Sequence, residues 1–135
     1  MANEAVIIEL LGVQKGCPIR YGCADGAGIV KGTILKMTDD RKAEASGADN
    51  DPFAGIVAEE KVASDGAEFI TAYTFGIFDL KLTAVEVTAG DRVSIGGASN
   101  VVSACAVADN LFSNVGIALS TGNAVAVPVL VGSGL

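Results

Sequence analysis

Asp65-Gly66 stands between two runs that favour an extended backbone. Phe53-Ala-Gly-Ile-Val-Ala-Glu-Glu-Lys-Val-Ala63 precedes it, and Glu68-Phe-Ile-Thr-Ala-Tyr-Thr-Phe-Gly-Ile-Phe-Asp-Leu80 follows. Asp-Gly between β-branched and aromatic runs is a strong short-range signal for a β-hairpin. Strand pleating puts Phe69, Thr71, Tyr73, Phe75 and Ile77 on one face of the return run. Glu68, Ile70, Ala72, Thr74 and Phe78 take the other. Five of the chain's seven aromatic residues lie between Phe53 and Phe78. Aromatic side chains carry much of a core's burial, so this hairpin is expected to hold the fold together.

The rest of the chain repeats the theme of short extended runs cut by turn residues. Ala2 to Leu10 reads as extended, with Val6 and Ile8 on one side and Ile7 on the other, and Gly12 to Gly16 break it. Such a segment either adds to a neighbour's sheet edge or forms the first strand of its own domain. Pro18 to Ala24 and Ile29 to Met37 are further strand candidates, with Gly32 a possible bulge. Residues 38–52 are the most polar and predict a surface loop with a short strand near Arg41 to Ala45. Lys81 to Val87 and Arg92 to Ile95 follow, with a short run at Val101-Val102. Ala104 to Phe112 is the one segment with helical spacing. A second hairpin is expected from Val115 to Val131, turning at Thr121-Gly122-Asn123, with Val125, Val127, Val129 and Val131 on one face of its last strand. Pro128 cannot donate to a ladder, which predicts an edge or a bulge there. Short strands with little helix indicate a mainly β fold, a small barrel or sandwich. Residues 1–10 are read as an extended N-terminal arm and 11–135 as a single β-rich domain.

A chain of 135 residues can bury a real core without a staple. No basic region followed by an apolar run opens the sequence, and its apolar runs are too short for a membrane span. A soluble product of the cytosol, without a membrane partner, is the expectation. Half of the residues are apolar, which is compatible with apolar surface hidden in an assembly. The net charge of −7 repels phosphate and argues against nucleic acid. No charged side chain follows Asp109, so the tail is expected in the core or in subunit contacts.

Motifs that carry chemistry are scarce. The chain has no His, which removes Ser–His and Cys–His nucleophile pairs and most zinc sites. Cys17, Cys23 and Cys105 lack metal-ligand spacing and read as small hydrophobes. Gly26-Ala-Gly28 and Gly96-Gly97 lack the frame of a phosphate loop and read as turns. Asp39, Asp40, Asp49 and Asp51 resemble a solvated acidic loop more than a cation site, since the EF-hand offsets are missing. Glu59-Glu60-Lys61 suggests cross-strand ion pairing at a strand end. No catalytic, metal-ligating or cofactor-binding residue is therefore assigned, and no enzyme is expected.

The order of these pieces is familiar. Ala2-Asn-Glu-Ala-Val-Ile7 leads to Lys31-Gly-Thr-Ile-Leu-Lys-Met-Thr-Asp39 and then Phe53-Ala-Gly-Ile-Val-Ala-Glu-Glu-Lys61. Tyr73-Thr-Phe-Gly-Ile-Phe-Asp-Leu80 and Thr88-Ala-Gly-Asp-Arg-Val93 follow. Together, from about Ala2 to about Val131, they resemble the capsid decoration, or cement, proteins of tailed bacterial and archaeal viruses. The cysteines and the charge-free tail are not features of that resemblance. It implies a small β-tulip-like domain that is made in the host cytoplasm and sits on the outer surface of the virion. Its implied partners are the major capsid protein and itself, as a homotrimer at threefold and quasi-threefold positions. By the same analogy Asn3, Glu4, Ala5, Val6, Ile7 and Ile8 form the capsid-binding arm. Another β-rich module, such as a carbohydrate-binding sandwich or a tail or fibre component, is the alternative.

Overall fold

The computed structural model describes residues 3–83, 86–96, 100–104, 113–122 and 125–132. Strands follow one another along them: β1 (Val6–Leu10), β2 (Ile19–Gly22), β3 (Ile34–Asp39), β4 (Lys42–Ala45), β5 (Phe53–Val57), β6 (Phe69–Tyr73), β7 (Gly76–Leu82), β8 (Arg92–Ile95), β9 (Val101–Ala104), β10 (Asn114–Ala118) and β11 (Ala126–Val131). No α-helix occurs among the described residues, and the chain is a small, mainly β protein as its sequence predicts. Of the segment read as helical, Ala104 ends β9 and residues 105–112 lie outside the described residues.

Two sheets close on themselves. In the first, β2-β4-β3-β5-β6 form a barrel, completed by the single parallel pair Gly22↔Lys42. The second runs β1-β7-β11-β10-β8-β9, and β9 returns to pair in parallel with β7 at Lys81↔Val101 and Leu82↔Val102. Strands β7, β11, β10, β8 and β9 thus form a second ring, and β1 adds along β7 at residues 76–79.

The hairpin predicted around Asp65-Gly66 exists, with two changes. β5 and β6 pair antiparallel at Ile56↔Tyr73 and Val57↔Ala72, but a connection from 58 to 68 joins them rather than a tight turn. Ile29 and Lys61 exchange backbone hydrogen bonds of 2.9 and 2.7 Å, which pulls this connection onto the 23–29 segment. The return run also breaks at Thr74-Phe75, so that β6 belongs to the first barrel and β7 to the second. The predicted parity survives the break. Ile70 and Ala72, then Phe78, Leu80 and Leu82, are buried.

The aromatic residues do not dominate the core. Phe78 is fully buried, Phe53 and Tyr73 are only partly so, and Phe69 is 55% exposed. Aliphatic side chains fill the interior instead, among them Ile34, Ile56, Leu80, Val93, Ile95, Val102, Val115 and Val129. Full burial stabilises each by about 1.5–3 kcal/mol relative to exposure. Ile34 and Ile56 come from the first barrel yet pack into the second barrel's core. The same junction carries a polar tie, because the Ile34 N–H donates to Oδ1 of the buried Asn100 at 2.9 Å.

Two other expectations are corrected. Pro128 lies in β11, which is an interior strand between β10 and β7. Its carbonyl accepts from the Leu119 N–H at 2.8 Å, just past the end of β10. A residue's N and C=O point to the same side of a strand, so the ring nitrogen faces the place where that ladder has already ended. Gly32 is not a bulge within a strand, since β3 starts only at Ile34. Within the polar 38–52 loop, β4 supplies the short strand expected there.

Candidate interaction site

The outer edge of β1 has no strand paired to it among the described residues. Local sequence explains how the segment docks. The Ala5 N–H donates to the Gly32 carbonyl at 2.7 Å. Gly32 has φ +89°, and a side-chain carbon there would fall on the Ala5 carbonyl oxygen. Only glycine lets the two backbones approach this closely. Val6↔Asp79 and Ile7↔Phe78 then pair with β7, the register slips at Ile8, and Glu9↔Ile77 resumes the ladder. A bulge of this kind bends an edge strand and re-aims its side chains.

The six residues assigned to the arm divide accordingly. Asn3 is exposed and Glu4 half-buried, while Ala5 is buried in the core. Ile7 packs against that core, whereas Val6 and Ile8 remain 60% and 50% exposed. Residues 6–10 are therefore the first strand of the chain's own second sheet and not an arm free of the domain. Beside β1 lies a groove of about 270 Å³ bounded by Ala5, Val6, Ile7, Lys31, Gly32 and the last two residues of β5, Ile56 and Val57. Strand edge, apolar side chains and groove together suit an extended apolar segment adding alongside.

Several of the groups weighed for chemistry make structural contacts. Lys61 does not pair across strands with a neighbouring glutamate. It is buried, and its Nζ donates to Asp25 Oδ1 (3.1 Å), the Asp25 carbonyl (3.0 Å), the Val62 carbonyl (3.1 Å) and Asp65 Oδ1 (3.0 Å). Burial opposes the charge, but the hydrogen bonds and proximity of Asp65 and Asp25 outweigh it and hold the ammonium above the usual lysine range. The Ala67 N–H, and then the Lys61 ammonium, hold the Asp65 carboxyl below the usual aspartate range. Burial pushes the Cys23 thiol upward, which disfavours the reactive thiolate. Cys17 is likewise half-buried, and Cys105 lies outside the described residues. In the acidic loop, Asp51 Oδ2 accepts from the Gly47 and Ala48 N–H groups at 3.0 Å each. Among the described residues no cluster of three or more His, Cys, Asp or Glu could hold a metal ion.

The close approach at Gly32 and the burial of Lys61 escaped sequence reasoning. The recurrence of Asp25-Gly26 and Asp65-Gly66, each offering a carboxylate at a turn, was the available hint for Lys61. Compared with known proteins, the chain matches no family model and no curated sequence.

Proposed function

We propose that this protein is a virion structural protein that binds the outer surface of an icosahedral capsid, as trimers at threefold and quasi-threefold positions. It stabilises the shell by bridging major capsid subunits. The observation that carries this reading is the open edge of β1 with Val6 and Ile8 exposed along it, at the N-terminal segment that the resemblance assigns to capsid binding. An extended segment of the capsid subunit adds to that edge by main-chain hydrogen bonds and covers the two side chains. Copies arranged by symmetry multiply such a contact, so modest single-site affinity yields firm attachment. The acidic surface of the remainder favours separation from other virions and from nucleic acid.

Deleting the arm is a poor test, because Ala5 and Ile7 belong to the packed interior. The combined substitution Val6→Asp and Ile8→Asp is the better one. Each side chain has about half its surface left to bury, worth about 1–1.5 kcal/mol on binding. Their loss weakens each site by roughly 30- to 150-fold. Co-sedimentation with shells lacking this protein measures it, and binding within threefold of the unaltered chain rejects the assignment.

A further inference from the structure

We infer that copies of this chain associate head to tail, the Val13–Lys15 loop of one seated in the acid-rimmed cavity beside Phe69 of the next. The inference concerns self-assembly, which the proposed function includes, and does not depend on the shell.

The loop is a built projection. Its base is tied down by Gly16 N–H to the Leu11 carbonyl (2.8 Å) and Cys17 N–H to the Gln14 carbonyl (2.7 Å). The Gly16 carbonyl accepts from the Thr74 and Phe75 N–H groups at 2.9 and 3.2 Å, and Thr74 Oγ1–H donates to the Cys17 carbonyl at 2.8 Å. Gly16 has φ +80°, and a side chain there would enter the Tyr73 ring. Cys17 holds φ +44°, a conformation uncommon outside glycine and asparagine. On this base Val13 is completely exposed, at 106% of its reference surface. With the backbone at the base of the loop already held, less ordering entropy remains to be lost when Val13 is covered.

Charge then selects the occupant. Between Glu9 and Arg20, Lys15 is the only charged residue. A basic, apolar projection on a chain of net charge −7 is complementary to the acidic remainder of another copy. A matching recess exists. A cavity of about 320 Å³ is lined by Glu59, Glu60, Asp65 and Glu68, with Phe69 and Arg20. Arg20 lies over the Phe69 ring, 4.1 Å from its centroid. The carboxylates outnumber this cation and the buried, already paired Lys61.

Projection and recess are different patches along one strand pair. β2 and β6 pair with Ile19 opposite Ala72 and Gly22 opposite Phe69. The loop leads into the Ile19 end of that pair, and the lining of the cavity runs from Arg20 and Thr71 to Phe69 and Glu68. A contact between two different patches is heterologous, and it closes into a ring when the rotation allows. Three such contacts give a trimer.

The test is the native mass of the free protein, by light scattering at low and moderate salt, with circular dichroism as a check on folding. The unaltered chain is expected at a multiple of 13.5 kDa. Lys15→Glu, Glu60→Lys and Val13→Asp are each expected to weaken association at least tenfold. The combined Lys15→Glu and Glu60→Lys protein is expected to regain it. A single-chain mass for the unaltered protein overturns the inference. So does an assembly indifferent to Val13→Asp and Lys15→Glu, as when the loop instead seats on the shell, or a charge swap that restores nothing. Loss of shell binding with intact assembly bears only on the proposed function.

Discussion

Gly32 and Gly66 offer a matched pair of substitutions that isolates how the N-terminal strand is held. Both glycines sit in the left-handed region, at φ +89° and +86°. An alanine at either position therefore meets the same backbone penalty, about 1–2 kcal/mol for an L-residue there. Their surroundings differ. Nothing lies within 4 Å of where a methyl at Gly66 would stand, whereas at Gly32 it falls closer than 3.0 Å to the Ala5 carbonyl oxygen. That oxygen belongs to backbone, so relief requires the segment leading into β1 to move. Overpacking of this kind, together with a weakened Ala5–Gly32 hydrogen bond, adds about 2–4 kcal/mol.

For a domain of this size about 1 kcal/mol moves Tm by roughly 3–5 °C. Gly66→Ala is thus expected to lower Tm by roughly 3–10 °C, and Gly32→Ala by a further 6–20 °C, in thermal unfolding followed by circular dichroism. Amide exchange supplies the location. In Gly32→Ala the Ala5 and β1 amides should exchange faster while those of β8 and β10 keep their protection. Equal losses of Tm in the two proteins, or unaltered protection of β1, would refute the claim that this close approach docks the strand.

Other perturbations separate core from surface. Phe78→Ala should cost about 3–5 kcal/mol, while Phe69→Ala stays within about 1 kcal/mol, as read by urea midpoints. Asn100→Ala strips the partner from the buried Ile34 N–H and should cost about 2–3 kcal/mol. The Asp25–Lys61–Asp65 cluster predicts a pH dependence with a definite sign. Asp65 is depressed in the folded state, so its contribution is present above the unfolded aspartate range and vanishes as pH falls through the depressed value. Lys61 is raised, so its contribution is full below the unfolded lysine value and vanishes as pH rises through the raised one. The stability difference between the unaltered chain and Asp65→Asn should therefore be largest near neutrality and shrink in acid. A difference that is the same at pH 7 and pH 2.5 would show that the cluster is not charged as described.

The legible parts of the fold were those governed by local chemistry. Pleat parity from Ile70 to Leu82 and the Val127-Val129-Val131 face depend only on alternation, and both were readable in the residues. Long-range decisions were not. Nothing local marks Thr74-Phe75 as the point where the chain leaves one barrel for another, because both strands carry the same pattern. Phe69 reads as core by residue type, yet it lies on the outward face of β6, where Arg20 covers one side of its ring. Lys61 reads as surface for the converse reason, since burying an ammonium needs four oxygens that no short window displays together. At the candidate site, alternation marked Val6 and Ile8 as a pair but could not reveal that Ala5 is fixed by Gly32.

Closure of both barrels constrains how this chain can assemble. Sheets join between molecules through unpaired strand edges, and a closed ring of strands has none to offer. Among the described residues β1 contributes the remaining edge, one per molecule. One edge can meet only its own counterpart, and such a contact is isologous, with twofold symmetry. A threefold ring needs two different patches on each molecule, so it cannot be built by strand pairing through β1. A trimer must use other surfaces, and it then presents three β1 edges still free. Three equivalent edges on a single body are what an array of shell subunits around a threefold axis could engage together. The device that holds β1 against Gly32 would then set the spacing and direction of those edges.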